Sequence, residues 1–163
     1  MGIYIGLGAN LPGPAGPPRA AVEAAVARLG AAGVAVLRRS RWYSSPAWPD
    51  PADPEFVNAV AEVKTDLSAA DLLRVLHEVE AALGRTRTKP NAPRTIDLDL
   101  LDYNGAVEAG GGPILPHPRL HLRAFVLKPL ADIAPEWRHP VSRRSVAELI
   151  AALPADAGAK PLD

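Results

Sequence analysis

There is no cysteine among the 163 residues. Disulfides, thiolate nucleophiles and Cys-ligated zinc are therefore excluded. Nor is there an excess of charge of either sign, since Lys plus Arg and Asp plus Glu each number 18. A generally basic nucleic-acid binder is not indicated, and neither is an acidic tail. The longest apolar stretch, 20–37, is broken by Glu23 and Arg28 and does not read as a membrane span. The chain starts directly on a strand-like MGIYIGLG, with no leader pattern ahead of it. A soluble, cytoplasmic protein is expected. Two phosphate-binding signatures are missing as well. Gly6-Leu7-Gly8 begins a dinucleotide motif, but the third glycine would fall at Leu11, and no G-x-x-x-x-G-K-[ST] occurs. A nucleotide would have to be held by another architecture.

What is present reads as one domain, 1–163, with 48% hydrophobic and 22% charged residues. Ile3, Ile5 and Leu7 alternate as a strand closed by Gly8. A helix is expected over 18–29, opened by Pro18 and stopped by Gly30, with Val22, Val26 and Leu29 on its apolar stripe. Residues 34–43 read as a second strand and 56–65 as a third. Ser68 and Asp71 open a second helix that runs to Leu83 and stops at Gly84. Residues 95–103 form a fourth strand, ended by the Asn104-Gly105 turn. The order β-α-β-β-α-β predicts a ferredoxin-like α+β sandwich, an antiparallel sheet with both helices on one face. The last third adds C-terminal helical elements, one opened by the Ser145–Glu148 capping box, and a frayed tail over 154–163.

The chemistry concentrates around Asp97-Leu98-Asp99. Alternation along a strand places Asp97 and Asp99 on one face, about 7 Å apart, and Ile96, Leu98 and Leu100 on the other. Two carboxylates so placed need a cation, and oxygen ligands with open positions suit Mg²⁺ carrying phosphate. A lone D-x-D can equally be a solvated pair of acids at a strand edge. Its surroundings shift the balance, because 81–96 contain no acid and carry Arg85, Arg87, Lys89 and Arg94. Carboxylates for a metal beside arginine forks for phosphate oxygens match a Mg-bound polyphosphate.

The third strand places Phe56, Asn58, Val60 and Glu62 on one face. Asn58 beside an aromatic, near Ser45, Pro46 and Trp48, suits a flat heterocycle: rings stack and the amide reads a donor/acceptor edge. An ordinary polar strand residue is the plainer alternative. His117 and His121 stand at i, i+4, but Pro116 and Pro118 flank the first and no zinc helix is possible. A capping or phosphate-contacting role is expected. His77 can be surface or site. Eight of the 18 prolines lie in 11–18 and 44–55 and two in 84–93, the loops expected to close over substrates.

The motifs YIGLGAN (4–10), SSPAW (44–48), FVNA (56–59), GRTRTKPNAPRTIDLDLL (84–101), LPHPRL (115–120) and RAFVLKPL (123–130) together resemble the 6-hydroxymethyl-7,8-dihydropterin pyrophosphokinases. The resemblance implies the ferredoxin-like fold and ATP as donor. It implies two Mg²⁺ and transfer of the β,γ-diphosphate to the pterin hydroxymethyl group with release of AMP, in tetrahydrofolate biosynthesis. Carried over by motif, Asp97 and Asp99 are the metal ligands, and Arg85 and Arg94 are loop arginines near the phosphates. Glu80, Arg87, His117 and Arg123 fall on ATP-contacting positions. Ser45, Pro46, Trp48, Phe56, Asn58 and Phe125 fall on the pterin pocket, with Phe56 and Phe125 as ring-stacking partners. The chain departs from the pattern at Lys89-Pro90-Asn91-Ala92-Pro93, where some members carry Arg-Trp, and at Pro118, where Tyr often stands. It departs again at Gly110-Gly111-Gly112, where others have a basic residue. A monomer that binds no nucleic acid and no membrane is expected. The rival reading is a non-catalytic ferredoxin-like module that senses nucleotides or binds RNA.

Overall fold

Strict alternation in the first strand assigns its side chains to two different layers. The computed structural model describes residues 2–10, 16–46, 56–84, 96–154 and 158–162. Strand β1 (Ile3–Ala9) sends Ile3, Ile5, Leu7 and Ala9 into the main core and leaves Tyr4, Gly6 and Gly8 on the opposite face. Helices α1 (Pro18–Ala31) and α2 (Ala69–Ala82) cover the first face. The sheet is completed by β2 (Ala35–Arg39), β3 (Tyr43–Ser45), β4 (Phe56–Lys64) and β5 (Asp97–Tyr103). β1 lies between β5 and β4, and β2 and β3 follow one another along the far side of β4, all antiparallel. This is the strand order of the ferredoxin-like sandwich expected from the β-α-β-β-α-β pattern.

The helix ends show how local chemistry sets the boundaries. Ser68 accepts from Asp71 N at 3.1 Å, and Ser145 and Glu148 form the complete capping box. Gly84, with φ +89°, ends α2 as expected. α1 differs: Gly30 stays helical, and the stop is Gly33 at φ +88°. Val34 N reaches Leu29 O at 2.9 Å and Gly33 N reaches Gly30 O at 3.3 Å, so the left-handed glycine satisfies the last carbonyls.

Three expectations are corrected. Residues 34–43 are not one strand, because the Ser40 hydroxyl takes Val60 N at 3.0 Å in place of a backbone carbonyl and the chain kinks before β3. The face opposite α1 and α2 is not open throughout. Helices α3 (Ala124–Ile133) and α4 (Val146–Ala151) build a second core there around Tyr4, Val60, Leu101, Leu127, Leu130 and Trp137. The tail, expected to fray from 154, is held over 158–162: the short strand β6 (Lys160–Pro161) pairs with β3. Among the described residues no helix is long and apolar enough to cross a membrane.

Candidate active site

The site lies on the part of the second face that α3 and α4 leave accessible. Asp97 and Asp99 are half-buried there, while Ile96, Leu98 and Leu100 enter the main core, as alternation requires. β5 is an edge strand, so the outward N–H between the two acids needs its own partner. Glu80 supplies it: Oε2 accepts from Leu98 N at 2.9 Å. Glu80 is only 2% exposed. The expected ATP contact is thus a buried acid on α2 whose described bond goes to the backbone of the D-x-D strand.

His117 reaches the same place from the chain after β5. Its backbone N donates to Leu101 O at 2.9 Å, and its Nδ1 accepts from Arg119 N at 3.1 Å. The proton of the neutral ring therefore sits on Nε2, which lies 4.0 Å from Asp99 Oδ1. Burial, helped by Arg123 and Arg119 and opposed by Asp97, lowers the His117 pKa to about 4. The ring is neutral near pH 7 and offers a donor toward the carboxylates. Arg123, just ahead of α3, places Nη1 3.8 Å from Asp99 Oδ2 and its guanidinium 5.3 Å above the Phe125 ring.

Across β1 the acceptor side is built from β3 and β4. Asn58 is 5% exposed and donates from Nδ2 to Ser45 Oγ at 2.7 Å. Ser45 pairs in register with Phe56, which is half-buried, and Pro46 is exposed. Between the two halves runs a glycine floor. Gly8 is the register partner of both Asn58 and Asp97, and Gly6 of both Val60 and Asp99. A Cβ at Gly8 would lie 2.8 Å from Asn58 Oδ1.

The structure thus brings Asp97, Asp99, His117, Arg123 and Phe125 together, and separately Ser45, Phe56 and Asn58. Trp48, Arg85, Arg87, Lys89 and Arg94 lie outside the described residues. His77 is exposed on α2. The sequence reading missed Gly6 and Gly8 as site residues, although the alternation that buries Ile5 and Leu7 already places both glycines on the face of the acids. His121 and His139 meet edge to face at 5.6 Å beside Trp137, whose indole N–H donates to Asp102 at 2.8 Å. Asp102 is a buried structural acid distinct from the D-x-D pair.

Asp97 and Asp99 fit a hard divalent cation. They offer oxygen only, and among the described residues no third His, Cys, Asp or Glu joins them in a closed cage. Open positions remain for water and phosphate oxygens, as Mg²⁺ requires.

Residues 4–135 match the family described as 7,8-dihydro-6-hydroxymethylpterin-pyrophosphokinase (HPPK). The chain is similar to proteins named 2-amino-4-hydroxy-6-hydroxymethyldihydropteridine pyrophosphokinase. The one from Methylorubrum extorquens is 42% identical over 82% of this chain and 82% of its own length. The one from Pseudomonas aeruginosa is 40% identical over 93% and 91%, and the one from Synechocystis is 38% identical over 91% and 74%. Among solved structures, Plasmodium falciparum HPPK-DHPS with pteroate superposes with a TM-score of 0.70 at 13% identity, covering 91% of this chain. This chain spans 43% of that longer one, and the likeness is one of fold.

Proposed function

The chain belongs to the 7,8-dihydro-6-hydroxymethylpterin-pyrophosphokinase family, and on that premise we infer that it transfers the β,γ-diphosphate of ATP to the hydroxymethyl oxygen of 6-hydroxymethyl-7,8-dihydropterin, releasing AMP. One observation carries the reading from family to chemistry: Gly8 sets Asp97, the first of two metal-competent carboxylates, and the buried amide of Asn58 at one register of the sheet. Asn58, oriented by Ser45, reads the heterocycle edge, and Phe56 and Phe125, with Pro46 and Trp48, enclose its faces. Asp99, with Arg123 and His117 beside it, marks the phosphate side.

In the reaction the hydroxymethyl oxygen forms a bond to the β-phosphorus. The bond from that phosphorus to the bridging oxygen breaks, AMP leaves with the oxygen, and the hydroxyl proton is released. Positioning and charge neutralisation do most of this work. Two Mg²⁺ held by Asp97 and Asp99 would neutralise phosphate charge when bound. Asp97, at the register of Asn58, is the carboxylate we assign to the hydroxyl of the acceptor. Arg123 and the Nε2–H of His117 hold phosphate oxygens, together with Arg85, Arg87 and Arg94. The non-catalytic alternative has no comparable support, since a face bearing Asp97 and Asp99 repels a nucleic-acid backbone.

Incubation with ATP, Mg²⁺ and the reduced pterin tests the assignment. AMP and the diphosphorylated pterin are expected. ADP as the product, or AMP formed at the same rate without pterin, would overturn it.

A further inference from the structure

Tyr43 stands two residues before Ser45 and is the register partner of Asn58. Its ring is 3% exposed and packs with Ala124 of α3 and Ala159 of the tail in a small separate core, against which Phe125 also rests. Its hydroxyl donates to Asp132 Oδ2 at 2.9 Å. Arg41 closes on the same carboxylate with Nε at 3.2 Å from Oδ2 and Nη2 at 3.2 Å from Oδ1. Phe125, Lys128 and Asp132 stand at i, i+3 and i+7 of α3 and so share one face of the helix. From that face Lys128 Nζ donates to Ala159 O at 2.9 Å. The tail then continues as β6, with Pro161 opposite Tyr43 and Leu162 N donating to Trp42 O at 3.0 Å.

These contacts tie three segments at one point: the strand that carries Ser45, the helix that carries Phe125, and residues 158–162, which lie beyond the stretch matched by the family. Apart from Phe125 itself, none of the tying groups belongs to the site described above. We propose that Tyr43, Asp132, Lys128 and the tail form a clasp that fixes the separation of Ser45 from Phe125 and thereby positions the pterin pocket. They are positioning residues for the acceptor, with no part in holding ATP. The inference rests on the assignment of Ser45 and Phe125 to the pterin side.

The expected signature is a split between the two substrates. In the full-length chain, Tyr43→Phe keeps the ring and removes only the hydroxyl, and Lys128→Met removes only the tie to Ala159. Each should raise KM for the pterin roughly three- to tenfold, the range of a hydrogen bond's net worth. KM for ATP and kcat at saturating pterin should stay at wild-type values. Calorimetric titration with oxidised 6-hydroxymethylpterin and with α,β-methylene-ATP should show the same split. Lower thermal stability with an unchanged pterin KM in both variants overturns the clasp, as does an equal rise in both KM values. A wild-type chain that forms no AMP overturns the functional assignment, and the clasp with it.

Discussion

Asn58 and Asp97 occupy the same register on either side of Gly8, two strands apart and facing the same way. Adjacent strands lie just under 5 Å apart, so the two backbone positions are held about 10 Å from one another across a strand that adds no side chain of its own at this register. A flat ring read by Asn58 can therefore direct a substituent over the glycine toward Asp97. The distance is set by backbone ladders and not by flexible side chains, which is what in-line attack demands of its two partners.

Gly8→Ala tests that strip. The new Cβ would fall 2.8 Å from Asn58 Oδ1, and Asn58 is buried and tied to Ser45. The amide must turn, and its edge no longer matches the ring. KM for the pterin should rise about five- to tenfold while KM for ATP is kept. Steady-state kinetics with each substrate varied in turn give the answer. An unchanged pterin KM would mean that Asn58 does not read the ring.

Asp97→Asn and Asp99→Asn keep side-chain size and remove the charge that a divalent cation requires. Each should lower AMP formation on the order of a thousandfold, with circular dichroism unaltered because both positions are half-buried at the edge of the sheet. If Asp97→Asn makes AMP at a near-normal rate, the metal assignment is wrong.

Much of this was legible in the residues themselves. Alternation sorted Asp97 and Asp99 from Leu98 and Leu100, and the serine caps placed the starts of α2 and α4. Those are local effects, decided within a few positions. The parts that were not legible depend on partners distant in sequence. Ser40 breaks the second strand because its hydroxyl meets Val60, twenty residues on. The tail is ordered over 158–162 because β3 offers a free edge and Lys128 a donor. Gly6 and Gly8 looked like a failed nucleotide loop, and their use as a floor emerged only when the register set them between Asn58 and the acids.

Glu80 gives a stability prediction with a built-in control. Its carboxylate holds the outward N–H of Leu98 inside the protein. Glu80→Leu leaves that donor without its acceptor and should cost about 1–3 kcal/mol. Glu80→Gln retains a carbonyl oxygen at the same reach and should lose less. Urea midpoints of the two variants separate the cases. Equal losses would show that the negative charge matters and the bond to Leu98 does not.

His117 contributes to the response of the ligand-free protein to acid. Its folded pKa is held at about 4 by burial and by Arg123 and Arg119, below the ordinary value of 6.5. Above pH 6.5 the ring is neutral in both the folded and the unfolded chain, and it contributes nothing to pH dependence. Between 6.5 and 4 the unfolded chain binds a proton that the folded one refuses, so stability falls as pH drops through that window. The loss reaches up to about 3 kcal/mol where both states are protonated. His117→Asn keeps an acceptor for Arg119 N and cannot titrate. Urea unfolding at pH 7 and pH 4.5 should therefore show a smaller acid-induced loss in the variant than in the wild type. Equal losses in the two proteins would mean that His117 takes up its proton as easily folded as unfolded, and that the ring is not neutral by burial.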